Sequence, residues 1–417
     1  MAGRVARSQG CSLPEKRCTY IIHYTETVCI PTIKGMTQLR RQLSAATVAS
    51  VGLAGLAAAM GIGRFAFTPL FPLMQEHFGI SLAQGAWLAT ANYIGYFVGA
   101  VASFVLTPNA GRSARWGLLG VAGSTLAMGI TESFALWFFL RLLAGIASAF
   151  VLVGSSAWAL AHLALHKRGD LAGWVFAGVG LGICLAGLVT LLAASNGLGP
   201  ADVWLSLGVI AVGVVVTTWK ALTIEAHVES SQESIRPPPL DRSAWILVGC
   251  YGAFGFGYII PATFIPAVAR SLVNDPAVFG WTWPLFGLAA AISTITVSTV
   301  FRTVAPWKVG GWSLVVMAFG VLVPAIHLSL ASLAVSAVCV GGTFMVMTMA
   351  GLQEARRIAK GAPGRLMSGL TGAFAIGQFA GPILVSTGKS PDQALVTPSL
   401  CAAAFLLVSA CLLLLRR

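Results

Sequence analysis

Gly61-Ile-Gly-Arg64-Phe-Ala-Phe-Thr-Pro-Leu-Phe-Pro72 and Gly255-Phe-Gly-Tyr258-Ile-Ile-Pro-Ala-Thr-Phe-Ile-Pro266 are one apolar phrase written twice, at a constant offset of 194 residues. Trp87 and Trp281 repeat at the same offset, which carries the agreement into the next hydrophobic run of each half. Duplicated halves built of long apolar segments are a common construction for proteins that move solutes through lipid.

Composition agrees with that solvent. The 417 residues are 57% hydrophobic and 9% charged, with a mean hydropathy of +0.84, whereas a water-soluble domain carries about a quarter of its residues charged. The net charge of +13 would suit a nucleic-acid partner if it formed one exposed patch, but the basic residues are dealt out between hydrophobic runs. No nucleic-acid partner is therefore expected.

Runs of membrane length fall at 45–74, 83–106, 116–130, 133–161, 171–194 and 203–222, then at 244–268, 279–301, 309–326, 330–352, 366–386 and 394–415. The third is the shortest. Backbone groups in hydrocarbon must be satisfied within each segment, and unbroken apolar runs are helices, since barrel strands alternate every second residue. The expected fold is an all-α polytopic membrane protein of twelve transmembrane helices in two six-helix repeats. The expected domains are a polar, disordered cytoplasmic tail over 1–44, bundles over 45–222 and 244–417, and a linker over 223–243 that holds Glu225, Glu229, Glu233 and Pro237-Pro-Pro239.

Basic residues of the tail, the linker, the carboxyl end and the loops after spans 2, 4, 8 and 10 all fall on one side; the opposite loops carry only Arg270 and Lys389. Both termini are therefore expected in the cytoplasm. The tail is no cleaved secretory signal, because its first hydrophobic stretch begins too late and runs too long. Met36, directly before span 1, is an alternative start. Cys11, Cys18 and Cys29 match no common zinc spacing, and the five remaining cysteines lie singly in spans, so neither a metal nor a disulfide is expected.

Arg64 and Arg141 are the two cations inside spans. A guanidinium at that depth is costly unless it faces protein or a water-filled cavity. Arg64 has two readings: binding an anionic or strongly hydrogen-bonding solute in a fork geometry, or a structural one, capping carbonyls freed by Pro69 and Pro72 or gluing span 1 to a neighbour. Its repeat counterpart is Tyr258, an asymmetry that favours a binding site. Asn92, Tyr93 and Tyr96 on span 2 are further candidates, Asn92 and Tyr96 sharing one face of that helix at four residues apart, and Thr263 and Gln378 complete the candidate substrate contacts. Taken singly, Asn92 reads first as an inter-helix hydrogen bond.

Arg141 precedes a small-residue face beginning at Gly145 and reads as a buried structural cation. The glycines of span 5, Gly173, Gly178, Gly182 and Gly187, and of span 11, Gly372, Gly377 and Gly381-Pro382, read as sliding or hinge surfaces. All thirteen acidic residues fall in tails, loops or span ends, so no mid-membrane carboxylate is present to carry a proton. His162 and His166 read as a solvated face. There is no phosphate-cradling loop, His-Glu-x-x-His or nucleophile elbow; no enzyme activity and no cofactor is expected.

Twelve spans, a charged middle linker and Arg141-x-x-x-Gly145 resemble the major facilitator superfamily over nearly all of 45–417. The two phrases above, together with Gly341-Gly-Thr-Phe-Met-Val-Met-Thr-Met-Ala-Gly-Leu-Gln-Glu-Ala-Arg356-Arg357, are similar to its YbfB/YjiJ-type bacterial branch. The resemblance implies alternating access, with two halves rocking about a site near the bilayer midplane. In the superfamily's Gly-x-x-x-Asp-Arg-x-Gly-Arg loop this chain keeps Gly111-Arg112, with Arg112 as a gating candidate, but has Phe104 and Pro108 for the first Gly and the Asp. The Gly-Pro pair of superfamily antiporters is missing from span 5 and present in span 11.

The expectation is a monomeric secondary transporter of the bacterial plasma membrane whose partners are a small-molecule substrate and the lipid bilayer. Two alternatives stay open: an exporter of amphipathic compounds using Trp87, Trp281 and Trp283, and a membrane sensor that binds a ligand without moving it.

Overall fold

The structure, a computed structural model, describes residues 43–106, 109–226, 241–272, 280–359, 363–385 and 391–415; at 82, 263–271, 380–385 and 391–395 only the backbone is described. The cysteines of the tail and most of the linker lie outside these residues.

The described chain is helical from end to end. The first half holds α1 (Ala45–Phe78), α2 (Leu82–Leu106), α3 (Ala110–Met128), α4 (Phe134–Leu165), α5 (Ala172–Ser195) and α6 (Pro200–Thr218). The second holds α7 (Arg242–Leu272), α8 (Thr282–Val300), α9 (Pro306–Ile326), α10 (Leu330–Ile358), α11 (Pro363–Val385) and α12 (Pro391–Leu414). Among the described residues, ten of the twelve are long and apolar enough to cross a membrane; α3 is not, and α11 is described in full only to residue 379. In α3 the apolar run is diluted by Arg112 and Arg115. The helix nonetheless starts at Ala110, because the Asn109 side chain accepts from the Arg112 N–H at 2.9 Å, an N-cap that the hydrophobic run alone does not reveal.

Large apolar side chains point outward all round the bundle, among them Val216, Phe319 and Phe405, a surface that suits lipid and not water. Exposed tryptophans mark the helix ends: Trp116, Trp174, Trp245 and Trp312 on the side rich in basic residues, Trp87 and Trp281 on the other. The repeat pair Trp87 and Trp281 is exposed to the same degree, 56%, so these rings face outward and line no inner cavity. Only Trp283 of that group is buried.

Glycines set how closely the helices approach. Gly178 and Gly182 on α5 face the backbone of α1 at Leu53 and Ala57, and Gly61 on α1 faces Gly182 in return. A second face of the same helix, Gly173, Gly180 and Gly187, meets Ser298, Gly287 and Pro284 on α8. Thus α5 carries one glycine face within its own half and another against the other half, the latter in contact along nearly the whole length of both helices. Of the α11 glycines, Gly377 faces the Gly252 backbone of α7, whereas a Cβ at Gly372 would meet nothing within 4 Å. Gly372 is therefore no contact surface, contrary to the expectation from spacing.

Candidate functional site

The middle of α1 is not α-helical. From Ala57 to Phe65 the chain runs as a nine-residue π-helix, with α-helix on both sides. This register bonds each carbonyl to the fifth residue onward and leaves backbone groups in need of other partners. In it the Arg64 carbonyl would accept from residue 69, which is Pro69 and has no N–H. Helix α4 supplies what is missing. Ser148 Oγ donates to Ala59 O at 2.8 Å, and the two Nη atoms of Arg141 donate to Gly63 O and Arg64 O, both at 3.2 Å. The Arg141 guanidinium also lies over the Phe67 ring, 4.8 Å from its centroid. Carbonyl capping, one structural reading of Arg64, is performed here by Arg141; the other, a tie from span 1 to a neighbouring helix, stays with Arg64.

Arg64 is thereby left to the protein interior. It is 2% exposed, and its Nη2 donates to Gln378 Oε1 on α11, a fully buried side chain of the other half. Its guanidinium carbon stands 3.8 Å from the Tyr96 ring centroid, 5.4 Å from Phe65 and 5.7 Å from both Tyr93 and Phe374. Such faces suit a cation. Nε and Nη1 of Arg64 and Nε2 of Gln378 have no hydrogen-bond partner among the described residues. The ion pairs among those residues are Arg168 with Asp170 and Arg357 with Glu354, so neither Arg64 nor Arg141 is neutralised by a carboxylate. Glu354 is wholly buried but sits in the last turns of α10, bound by both Arg357 nitrogens at 2.8 Å.

Across from Arg64 the second half presents rings. Tyr258 stacks on Phe344 and Phe374, with centroids 5.2 and 5.6 Å away. Phe65 crosses from α1 into this cluster and meets Tyr258, Phe344 and Trp283 edge-on at 6.1 to 6.5 Å. Arg64 and Tyr258 are thus joined through Phe374, which lies beside both. The space left between Met60, Tyr96, Phe344 and Thr348 is a cavity of about 10 Å³, roughly what a single water molecule needs. The two halves meet with their centre closed.

The other candidates fall elsewhere. Asn92 Nδ2 donates to Arg141 O at 3.0 Å, so its amide is turned to α4 while Tyr96, on the same helix, lies under Arg64. A Cβ at Gly145 would meet the backbone of Asn92 and Tyr96, which places it at the α2–α4 crossing. Arg112 is exposed at the start of α3. For Thr263, Gly381 and Pro382 the side-chain surroundings lie outside the described residues. His162 is buried with its Nδ1 at 2.9 Å from Trp158 O, which corrects the reading of His162 and His166 as a solvated face.

Phe65 and Phe344 were not singled out from sequence, although each stands inside a quoted motif, directly after Arg64 and directly after Gly341-Gly-Thr. Ser148 carried no signal of its own.

Among proteins of known family, the Bacillus subtilis "Uncharacterized MFS-type transporter YceJ" is 33% identical over 145 residues, which is 34% of this chain and 33% of that protein. The match thus spans about a third of the relative's length. The crystal structure of the human organic anion transporter MFSD10 (TETRAN) superposes with a TM-score of 0.66 over 90% of this chain and 99% of that one, at 16% identity. That likeness is one of fold. Residues 56–414 match the family described as "Uncharacterised MFS-type transporter YbfB". The chain is a multi-pass membrane protein of the major facilitator superfamily, and belongs to its YbfB-type transporter family.

Proposed function

We propose that the protein is a secondary active transporter that moves a small organic solute across the bacterial plasma membrane by alternating access, both termini lying in the cytoplasm, and that Arg64 holds the solute's anionic or strongly hydrogen-bonding group. One observation carries the reading: a buried guanidinium, unpaired by any carboxylate among the described residues, stands where the two halves meet and is bonded to Gln378 across them. Intramembrane ionisable residues are expensive and mark solute paths. Arg141 is occupied by backbone carbonyls, which leaves Arg64 as the cation for the solute.

The closed centre, too small for a solute, supports a cycle in which the halves part to admit one. The human structure is of an organic anion transporter, a substrate class in keeping with a central guanidinium. The working form is taken as a monomer in the bilayer, with no nucleic acid.

The test is counterflow of labelled organic acids in proteoliposomes. Parent protein gives counterflow for at least one of them, and Arg64→Ala, still monodisperse in gel filtration, gives none. Undiminished transport by Arg64→Ala removes Arg64 from the site. A parent protein that binds an acid yet never exchanges it would be a sensor.

A further inference from the structure

The closed centre holds two kinds of unmet hydrogen-bonding capacity. Nε and Nη1 of Arg64 and Nε2 of Gln378 are buried donors without a partner among the described residues. Phe65, Tyr96 and Phe374, which line the small cavity, have ring centroids 3.8 to 5.7 Å from the Arg64 guanidinium carbon, so the cavity adjoins that cation. Its other wall has the opposite character. Tyr251 on α7, Thr348 on α10 and Thr371 on α11 line it, all three buried and all in the second half.

Each of these hydroxyls has one proton and has spent it. Tyr251 Oη donates to Thr348 O at 3.2 Å, Thr348 Oγ1 to Phe344 O at 2.9 Å and Thr371 Oγ1 to Met367 O at 2.9 Å. A carbonyl cannot donate, so the direction of each bond is fixed and only lone pairs are left on the three oxygens. A solute group that donates completes them without breaking a bond, whereas one that only accepts must first take a proton away from a carbonyl. Resting on the reading of Arg64 above, we propose that the substrate is a hydroxy acid, its acid group held by Arg64 and a hydroxyl donating to the acceptor wall of Tyr251, Thr348 and Thr371, which makes these three residues determinants of specificity.

The other donor that such a wall could take is an ammonium group. It would bring a further positive charge to a centre where neither Arg64 nor Arg141 is paired with a carboxylate among the described residues. Unpaired charge in a dry interior is costly, and a hydroxyl supplies the same donor without it. The two ends of the solute are also read by different halves: the guanidinium is on α1, and the hydroxyls are on α7, α10 and α11. A solute with both groups bridges the halves, and one with the acid alone engages only the first.

The probes are 3-hydroxybutyrate, 3-hydroxybenzoate and 4-hydroxybenzoate, each with its methyl ether and its unsubstituted acid as controls, titrated by calorimetry into purified protein in micelles. Parent protein binds at least one hydroxy acid about fivefold or more tighter than both of its controls. Thr348→Val and Thr371→Val nearly keep the shape of the side chain while removing its lone pairs, and Tyr251→Phe removes only the oxygen. At least one of these variants brings the ratio between that hydroxy acid and its unsubstituted acid to within about twofold, with the affinity for the unsubstituted acid unchanged. A merely structural role would lower both affinities together and leave the ratio as it was. Gel filtration checks the fold of each variant, and the comparison within the parent stands whichever variants fold.

A parent that binds the methyl ether or the unsubstituted acid as tightly as every hydroxy acid overturns the need for a donor. A ratio unchanged in all three variants overturns the acceptor wall, and tighter binding of 4-(aminomethyl)benzoate than of any hydroxy acid overturns the choice of hydroxyl over ammonium. Failure of all the hydroxy acids to bind the parent at millimolar concentration overturns the substrate class, even where counterflow of another solute is lost with Arg64→Ala. Acid binding kept in full by Arg64→Ala overturns the reading of Arg64 itself.

Discussion

Substituting Gly182 by Ala tests whether α1 and α5 approach as closely as their glycines allow. A Cβ at Gly182 would lie 2.9 Å from both the carbonyl carbon and Cα of Ala57, against about 3.5–4.0 Å for carbon atoms in ordinary contact. The neighbour is backbone and its carbonyl oxygen is nearer still, so the helices must separate by roughly 1 Å or more. Overpacking of this kind costs about 1–3 kcal/mol. Removing a helix-interior glycine works the other way, by about 0.8–1 kcal/mol.

A second variant cancels that gain. Gly123 lies inside α3, exposed, with nothing within 4 Å of an added Cβ. Gly123→Ala receives the propensity gain without the clash, so the two variants should differ by the clash alone, about 1–3 kcal/mol. Unfolding of both proteins in the same detergent measures the difference, with Gly182→Ala below the parent or near it and Gly123→Ala above. Gly61→Ala opposes the same crossing from the α1 side, and the double variant should cost less than the sum, because helices already parted accommodate the second methyl. Equal shifts for Gly182→Ala and Gly123→Ala would refute the close crossing.

Arg141→Lys keeps the buried charge but cannot bridge two carbonyls; leaving Gly63 O or Arg64 O unpartnered should destabilise the protein by about 1–3 kcal/mol, and an unchanged unfolding midpoint would refute the capping role. Gly180→Ala acts between the halves, where its Cβ would lie 2.5 Å from Ala291 N and 3.0 Å from Ala290 Cβ on α8. It should reduce disulfide trapping between single cysteines placed on α5 and α8 while leaving each half folded; trapping equal to the parent's would refute contact along that face.

Much of this architecture is local information. A run of apolar residues specifies a lipid-embedded helix without reference to any other part of the chain, so the observed helices lie close to the hydrophobic runs. The largest departure is α3, where an asparagine cap outweighs hydropathy. Arg64 was legible because a guanidinium in an apolar run is rare. Gln378 was among the candidate contacts, but its bond to Arg64 was not legible: it is 314 residues away, and nothing in the sequence pairs the two. The glycine faces were half legible. Spacing singled out Gly178 and Gly182, but it also selected Gly372, where an added Cβ would meet nothing within 4 Å, and passed over Gly180, which faces α8. Whether a glycine is a contact depends on the helix opposite.

The deepest non-local effect is that one phrase folds in two ways. The first copy is π-helical from Ala57 to Phe65; the second, around Gly255 and Gly257, stays α-helical within α7. Both have the glycines, so glycine content does not decide the register. Proline placement differs: in the α register Pro69 withholds an N–H from the Phe65 carbonyl, where Thr263 at the same offset has one for Ile259, while the second copy carries Pro261, which withholds an N–H from Gly257. The neighbouring helix differs as well. Ser148 and Arg141 on α4 donate to three carbonyls of the first copy, while the positions at that offset on α10 are Gly342 and Val335, with no side-chain donor. Freed carbonyls in a dry interior are tolerated only where another group serves them. The π register therefore belongs to α1 and α4 together. A Val335→Arg, Gly342→Ser pair alone should not produce it in α7, because the prolines of that helix stand at other positions of the phrase.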